Sequence, residues 1–574
     1  MSALFPTISF LYETDAYTAS TARRPVPGTL DSTGINGRQV AGKTFLDALV
    51  RFGTHRSLLA LVRNAKNAHA MRVYWDKLPS EQRGDKRIEI RSLESATNRY
   101  FRKPGASILH LPNVLESSFA WARHSGKRHA FALSGVTHGL AGNRAMRLLG
   151  DLVSAPYEPY DALVCTSRSA LAVVKAVTRH YADYLNDRFG GSFELPIQLR
   201  LIPLGVDSEK FRPPTEDERR EARAKLQIAP EEWVLLSVGR LAYHAKANPF
   251  PLYFAAEELA KTVSRPVRLI FFGSFANQAI EQSFVGGAGK LSPTVRTTFL
   301  DGSGPDSLCH WHAADLFVAP YDSIQESFGL APLEAMACGL PVVGSDWDGL
   351  RDTVVDGETG VLVPTRMVRG ASDEISPRLA LDLTHTGLYL AETSQATAID
   401  PFALSEAIRR LAASPDLLVR MGKSARKRAE NEFDWRRILK QYESLWAEQE
   451  AERRKREEAA QTTLDARSDG PAWMPSPEIA FAGHPSDWLD ETSHVAATPE
   501  GGRLLSALLA HPLTNYANGT RVSDYETLEA ALRLAEEGCP VARMDSHFAE
   551  SGIDRERGRA TLAWLLKYAC LRAD

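Results

Sequence analysis

Cysteine is scarce in this sequence and never closely spaced. Five occur in 574 residues, at Cys165, Cys309, Cys338, Cys539 and Cys570. They are odd in number and form no C-x-x-C, so they read as reduced, mostly buried residues of a cytosolic protein. No charge of one sign dominates either. Lysine and arginine total 68 against 71 aspartate and glutamate, a net −3, and nothing global calls for nucleic acid. No run of 18 apolar residues exists, so no helix is expected to span a membrane, while surface association stays open. The start carries no charged leader followed by a long apolar stretch, so a signal peptide is not expected. Internal repeats are absent too. What remains is an ordinary composition, 44% hydrophobic and 24% charged, in a chain long enough for roughly three or four domains.

Strand-like and helix-like stretches alternate through the first part. Strands are predicted at Ile8–Tyr12, Leu58–Val62, Arg87–Ile90, Ile108–Leu111, Phe131–Leu133, Ala162–Cys165 and Leu199–Ile202. Helices lie between several of them, notably at Gly42–Phe52, Asn143–Val153 and Ser169–Arg188. Such alternation implies a parallel sheet covered by helices on both faces, with ligands beyond the carboxyl ends of its strands. A second set follows at Trp233–Leu241, Val267–Phe272, Arg296–Leu300, Leu316–Ala319, Val342–Ser345 and Val361–Val363.

The most informative stretch is Ala314–Pro364. Its short apolar runs LFVAP and PVVGS are bounded by turn residues, as buried strands are. Between them Leu330–Cys338 reads as a helix stopped by Gly339-Leu340-Pro341. Glu326-Ser327-Phe328-Gly329 falls where strand hands over to helix, and a helix N-terminus offers free N–H groups to an anion. Glu326 would itself oppose a phosphate there, so hydroxyls beside the phosphate suit it better. Glu334 lies inside the helix, and a rise of about 1.5 Å per residue separates the two carboxylates by on the order of 10 Å. That spacing suits two hydroxyl-rich groups with an anion between them.

Glu326 and Glu334 with the Ser-Phe-Gly run, followed by Gly339-Leu340-Pro341-Val342-Val343, Gly357-Glu358-Thr359-Gly360 and Leu362-Val363-Pro364, resemble the E-x7-E region of retaining GT-B glycosyltransferases, in particular glycosyltransferase family 4. The resemblance implies an α/β fold with two Rossmann-like domains facing each other across a cleft, acceptor in the first and donor in the second. The corresponding boundaries are 1–205 and 206–446, with Leu201–Asp207 similar to the family's hinge and the last helix crossing back to the first domain. Residues 447–498 read as a charged, solvated helix and a Pro-rich linker, and 499–574 as a small helical, faintly winged-helix-like module that suits protein docking. Arg366–Ile399 departs from the family as an insertion of roughly 30 residues, a length that is often functional in a compact domain.

The same resemblance implies a transfer of a hexose from a UDP- or GDP-linked sugar with retention, to a saccharide, lipid-linked or small-molecule acceptor. No metal or other cofactor is expected. Arg240 and Lys246, just past a strand end, would neutralise the diphosphate, aided by N–H groups of Phe328, Gly329 and Leu330. Glu326 would hold sugar hydroxyls, Ser327 lies beside it, and Glu334 would hold the ribose. Gly37, ahead of the first-domain helix, is placed at the donor phosphates, where Arg38 stands instead of the family's second glycine. His138, in a turn similar to one whose histidine faces the transferred sugar, would bind a hydroxyl or manage the acceptor proton. Front-face and double-displacement routes both stay open. Acceptor contacts are sought among Arg23, Arg24, Asn143, Arg144, Arg168, Lys175 and Arg179. Asp346-Trp347-Asp348 has the letters of a D-x-D metal motif but reads as an ordinary turn, and His310-Trp311-His312 reads as structural. The competing classes are a non-catalytic nucleotide-sugar scaffold on the same fold and a cofactor-dependent phosphorylase, for which no pyridoxal-lysine signature is seen. Location is expected in the cytoplasm, with the inner membrane face left open.

Overall fold

Seven strands of the first half form one parallel sheet: β1 (Ile8–Tyr12), β2 (Ser57–Val62), β3 (Arg87–Ser92), β4 (Ile108–His110), β5 (Ala132–Val136), β6 (Ala162–Cys165) and β7 (Gln198–Leu201). Their order is β3-β2-β1-β4-β5-β6-β7. The computed structural model describes residues 8–17, 37–93, 106–125, 128–302, 308–460, 472, 474–516 and 522–573. The second sheet holds β8 (Trp233–Val238), β9 (Val267–Phe272), β10 (Arg296–Leu300), β11 (Leu316–Ala319), β12 (Val342–Ser345) and β13 (Gly360–Val363) in the order β10-β9-β8-β11-β12-β13. Its pairs are parallel throughout. The central strands read as apolar runs because helices cover both faces: every residue of β1, β6, β11 and β12 is buried. This is the two-domain architecture anticipated, the GT-B fold.

Each sheet reverses its strand order once, between β1 and β4 and between β8 and β11. Loops leaving neighbouring strands at such a point diverge and open a crevice. The loops after β8 and β11 carry Arg240, Lys246 and Glu326, which is why those three meet.

The chain passes between domains twice, side by side. The Val206 N–H donates to the Phe433 carbonyl at 2.8 Å, and the Trp435 N–H donates back to the Val206 carbonyl at 3.2 Å. Gly205 is required by close approach, since a Cβ there would lie 2.4 Å from the Trp435 ring. From Trp435 a single helix runs to Ala460. The sequence reading ended the family helix near Trp446 and continued it as a charged, solvated helix; the structure keeps the helix and corrects the solvation. Gln449, Glu450 and Arg453 are buried. The Gln449 amide donates to the Leu133 and Tyr160 carbonyls, each at 2.8 Å, and the Trp446 indole donates to the Ser134 hydroxyl at 3.2 Å. Charge letters alone hid a polar face that satisfies backbone of the first domain.

The insertion after β13 is also more ordered than a structureless loop. It opens and closes with an antiparallel pair, β14 (Thr365–Met367) and β15 (Thr397–Ile399), and holds helices at Ile375–Ala380 and Thr386–Gln395. No described helix is long and apolar enough to cross a membrane.

Residues 474–574 form a separate unit. A small antiparallel sheet of β16 (His494–Ala497), β17 (Cys539–Pro540) and β18 (Leu571–Ala573) packs with helices Pro499–Ala510, Tyr525–Leu534, Val541–Glu550 and Arg555–Lys567. Its core includes Leu528, Leu532, Met544, Phe548 and Leu565. β16 lies within the span read as linker; a four-residue strand inside a Pro-rich stretch leaves too short a period to see.

Gln449→Ala would remove two buried hydrogen bonds, each contributing about 0.5–1.5 kcal/mol. The expected outcome is a Tm several degrees below wild type, whereas Lys455→Ala, on the exposed side of the same helix, leaves it unchanged; differential scanning calorimetry checks both.

Candidate functional site

At the end of β8 the chain turns through Gly239 and Arg240 into a tight loop. The Leu241 N–H donates to the Ser274 carbonyl at 3.0 Å and the Lys246 N–H to the Ala242 carbonyl at 2.9 Å. The loop holds both cations over the crevice. Lys246 forms an ion pair with Glu326, and its ammonium lies 4.0 Å from the centre of the Tyr321 ring. Arg240 reaches the Ala245 carbonyl at 3.4 Å. Burial pulls the Arg240 pKa down, while the charge of Glu326 opposes that shift.

Glu326 comes from the loop after β11. Burial would raise its pKa, but the Lys246 charge and hydrogen bond, with N–H groups of Phe328 and Ser327, outweigh burial and hold it below the usual range. Lys246 is likewise pushed down by burial, and Glu326 overcomes this so that its pKa is raised. Both groups therefore stay charged at neutral pH. The N–H groups of Phe328 and Ser327 thus face the Glu326 carboxylate. The Phe328 side chain is buried and packs near Phe433, ring centres 6.2 Å apart.

Gly329 takes a φ of +92°, a conformation that favours glycine, and starts the helix Leu330–Ala337. Leu330 and Glu334 line a cavity of about 100 Å³ whose other side is Val40, Lys43, Thr44 and Asp47 of the helix Gly37–Phe52. Glu334 thus faces the first domain across the cleft. Gly37 opens that helix and is exposed, and a Cβ there would meet nothing within 4 Å. The preceding residues Ser32–Asn36, like Arg23 and Arg24, lie outside the described residues.

His138 follows β5. Burial first, then the charge of Arg38, lowers its pKa to about 3 against a hydrogen bond to the Pro112 carbonyl. It is a neutral imidazole at working pH. Arg38, the residue in place of the second glycine, has a buried Nε with no hydrogen-bond partner. The two domains come close at this point: a Cβ on Gly139 would lie 2.3 Å from the Gln325 amide nitrogen.

Of the cations proposed for the acceptor, Arg168 is a tie between domains instead. Its N–H donates to the Asp352 carboxylate at 2.7 Å and its guanidinium pairs with the same group. Arg144 pairs with Glu116 at 3.1 Å. Lys175 and Arg179 are exposed along the helix Arg168–Phe189. His310 stacks on Phe272 with ring centres 3.6 Å apart, as a structural residue does. Among the described residues no group of three His, Cys, Asp or Glu side chains is placed to hold a metal.

Sequence reasoning missed Tyr321 and Asp322, and it marked the insertion without showing what it touches. Leu390 of the inserted helix packs with Ala242 and Ala245 of the cation loop and with Ala141 beside the His138 turn. The insertion is therefore a wall of the site. Asp322 is buried, accepts from the Asn248 N–H at 3.3 Å and bonds to Ser394 of the inserted helix. The letters of the insertion carry no sign of these contacts.

Fold and site together define a GT-B protein with a cationic crevice in its second domain. Residues 218–382 match the family model of glycosyl transferases group 1. A D-inositol 3-phosphate glycosyltransferase of Rhodococcus jostii is 36% identical over 191 residues, 33% of this chain and 40% of that protein. One of the same description from Frankia alni is 37% identical over 203 residues, 34% and 48% of the two chains. The chain thus spans under half the length of these relatives. Among solved structures, sucrose-phosphate synthase of Thermosynechococcus elongatus aligns over 78% of this chain and 100% of that one, at 20% identity and TM-score 0.48. HepE of Anabaena in complex with UDP-glucose aligns over 76% and 98%, at 16% identity and TM-score 0.46.

Burial pushes the Asp322 carboxyl up from 3.8 to about 7, against its hydrogen bonds. A raised carboxyl pKa favours the fold most when the group is protonated, so its contribution is lost as pH rises through that window. Asp322→Asn removes the dependence. Its Tm is expected to gain on wild type by roughly 1–3 °C between about pH 5 and pH 8, as read by thermal melts at the two values.

Proposed function

We propose that the protein is a retaining hexosyltransferase using a nucleoside diphosphate sugar. The observation that carries this reading is the meeting of Arg240, Lys246 and Glu326 beyond the strand ends of the second sheet, beside the cavity lined by Glu334. Glu334 holds the ribose and Glu326 the sugar hydroxyls. The C1–O bond breaks with its electron pair passing to the β-phosphate oxygen. Arg240 and Lys246 stabilise the charge that grows there, with amides of Gly329 and Leu330. The acceptor oxygen bonds to C1, and the acceptor proton leaves on the departing phosphate. Neutral His138 hydrogen-bonds a hydroxyl of the sugar. The reaction uses no metal.

The group 1 match supports sugar transfer, and the relatives named for D-inositol 3-phosphate make a polyol or saccharide the acceptor class to test first. A non-catalytic scaffold is the alternative from the opening analysis; a buried Lys246–Glu326 pair at a strand-end crevice supports chemistry over it.

Arg240→Ala is expected to lower nucleotide release from a UDP- or GDP-sugar by about 10²–10³, with the wild-type Tm retained. Glu326→Ala is expected to lose most turnover. Glu334→Ala is expected to raise the donor KM about tenfold, on the order of 1.4 kcal/mol, with kcat little changed. A coupled assay for released nucleoside diphosphate reads all three. No release by wild type with any donor refutes the proposal, and a β-configured product from an α-linked donor, seen by proton NMR, refutes retention.

A further inference from the structure

The turn after β12 contains the residues that read as a decoy, and two of them explain themselves. The Asp346 carboxylate pairs with Arg351 at 2.7 Å. The Trp347 indole donates to the Ser323 carbonyl at 3.2 Å, tying this turn to the Glu326 loop. Asp348 does not fit that pattern.

Its φ is +49°, in the left-handed region that side chains rarely adopt. The next residue presses on the donor loop, since a Cβ at Gly349 would lie 2.4 Å from the Phe328 Cα. Asp348 is therefore carried over the Glu326–Phe328 segment. Its Oδ2 is buried and has no hydrogen-bond partner. Burial first, then the charge of Glu326, drives its pKa well up, against the Gly349 N–H and the charge of Lys246. The shift favours the protonated carboxyl, which can both donate and accept.

A strained backbone and a stranded polar atom at one residue are two costs that glycine would remove. The turn itself requires no carboxyl there. Such costs persist where the side chain has a task in the site.

We propose that Asp348 is a donor-specificity residue: its free carboxyl oxygen hydrogen-bonds a hydroxyl of the transferred hexose, beside the hydroxyl held by Glu326. This rests on the proposed function. A site built to bond a hydroxyl rejects an analogue that lacks it, because its own buried group is then left without a partner.

The test compares wild type with Asp348→Gly and Asp348→Asn by calorimetric titration against UDP, UDP-glucose, GDP and GDP-mannose. Glycine relieves the backbone, so Asp348→Gly is expected to raise Tm while weakening the preferred nucleotide sugar at least tenfold. Affinity for the matching free nucleoside diphosphate stays within twofold. Asparagine tolerates the left-handed backbone and keeps a donor and an acceptor, so Asp348→Asn retains nucleotide-sugar affinity to within about threefold. Nucleotide-sugar affinity unchanged in Asp348→Gly overturns this inference and leaves the proposed function standing. An equal loss for sugar and free nucleotide, or a lowered Tm, also overturns it, because the residue would then be structural. Binding of none of the four probes by wild type overturns the proposed function and this inference with it.

Discussion

The Lys246–Glu326 ion pair organises this molecule's second domain. The two charges come from loops after β8 and β11, neighbours in space but some eighty residues apart in the chain. Withdrawing either charge would leave the other buried and unpaired, a state far costlier than the pair itself. Much nearby construction serves it: the Tyr321 ring beneath the ammonium, the amides of Ser327 and Phe328 on the carboxylate, and the tight loop behind Lys246. A diphosphate entering the crevice would meet a cation already desolvated, which is the condition under which fixed charge acts most strongly on a growing negative charge.

The insertion and the long last helix extend that construction outward. Leu390 braces the cation loop and also reaches Ala141 of the first domain. The helix from Trp435 to Ala460 inserts Trp446 and Gln449 into the first domain and is joined to the hinge at Val206. Both domains are thus held by elements belonging in sequence to the second. That arrangement sets the cleft between Glu334 and the helix Gly37–Phe52. The first domain's His138 sits at the same place, kept neutral by burial and Arg38.

Buried parallel strands are legible because nothing else produces short apolar runs between turn residues at such regular spacing. Thus β1, β6, β9, β10, β11 and β12 occupy the residues expected of them. Glu326 before the helix and Glu334 within it were legible as a spaced pair, and Arg240 and Lys246 as cations past a strand end. Other features resist reading for a definite reason. A helix whose buried face is Gln449, Glu450 and Arg453 looks solvated until its carbonyl partners are known. Arg168 looks like any surface cation until Asp352 of the other domain is placed against it.

By itself the sequence determined the two parallel sheets and the chemical types gathered past the strand ends, since periodicity and turn residues are local properties. Tertiary structure alone decided which of those groups meet. The Lys246–Glu326 pairing, the Leu390 wall and the stranded oxygen of Asp348 all depend on strand order and on side chains far apart in the chain. Burial and pairing, which set the charge each group carries, exist only once those distant segments are packed together.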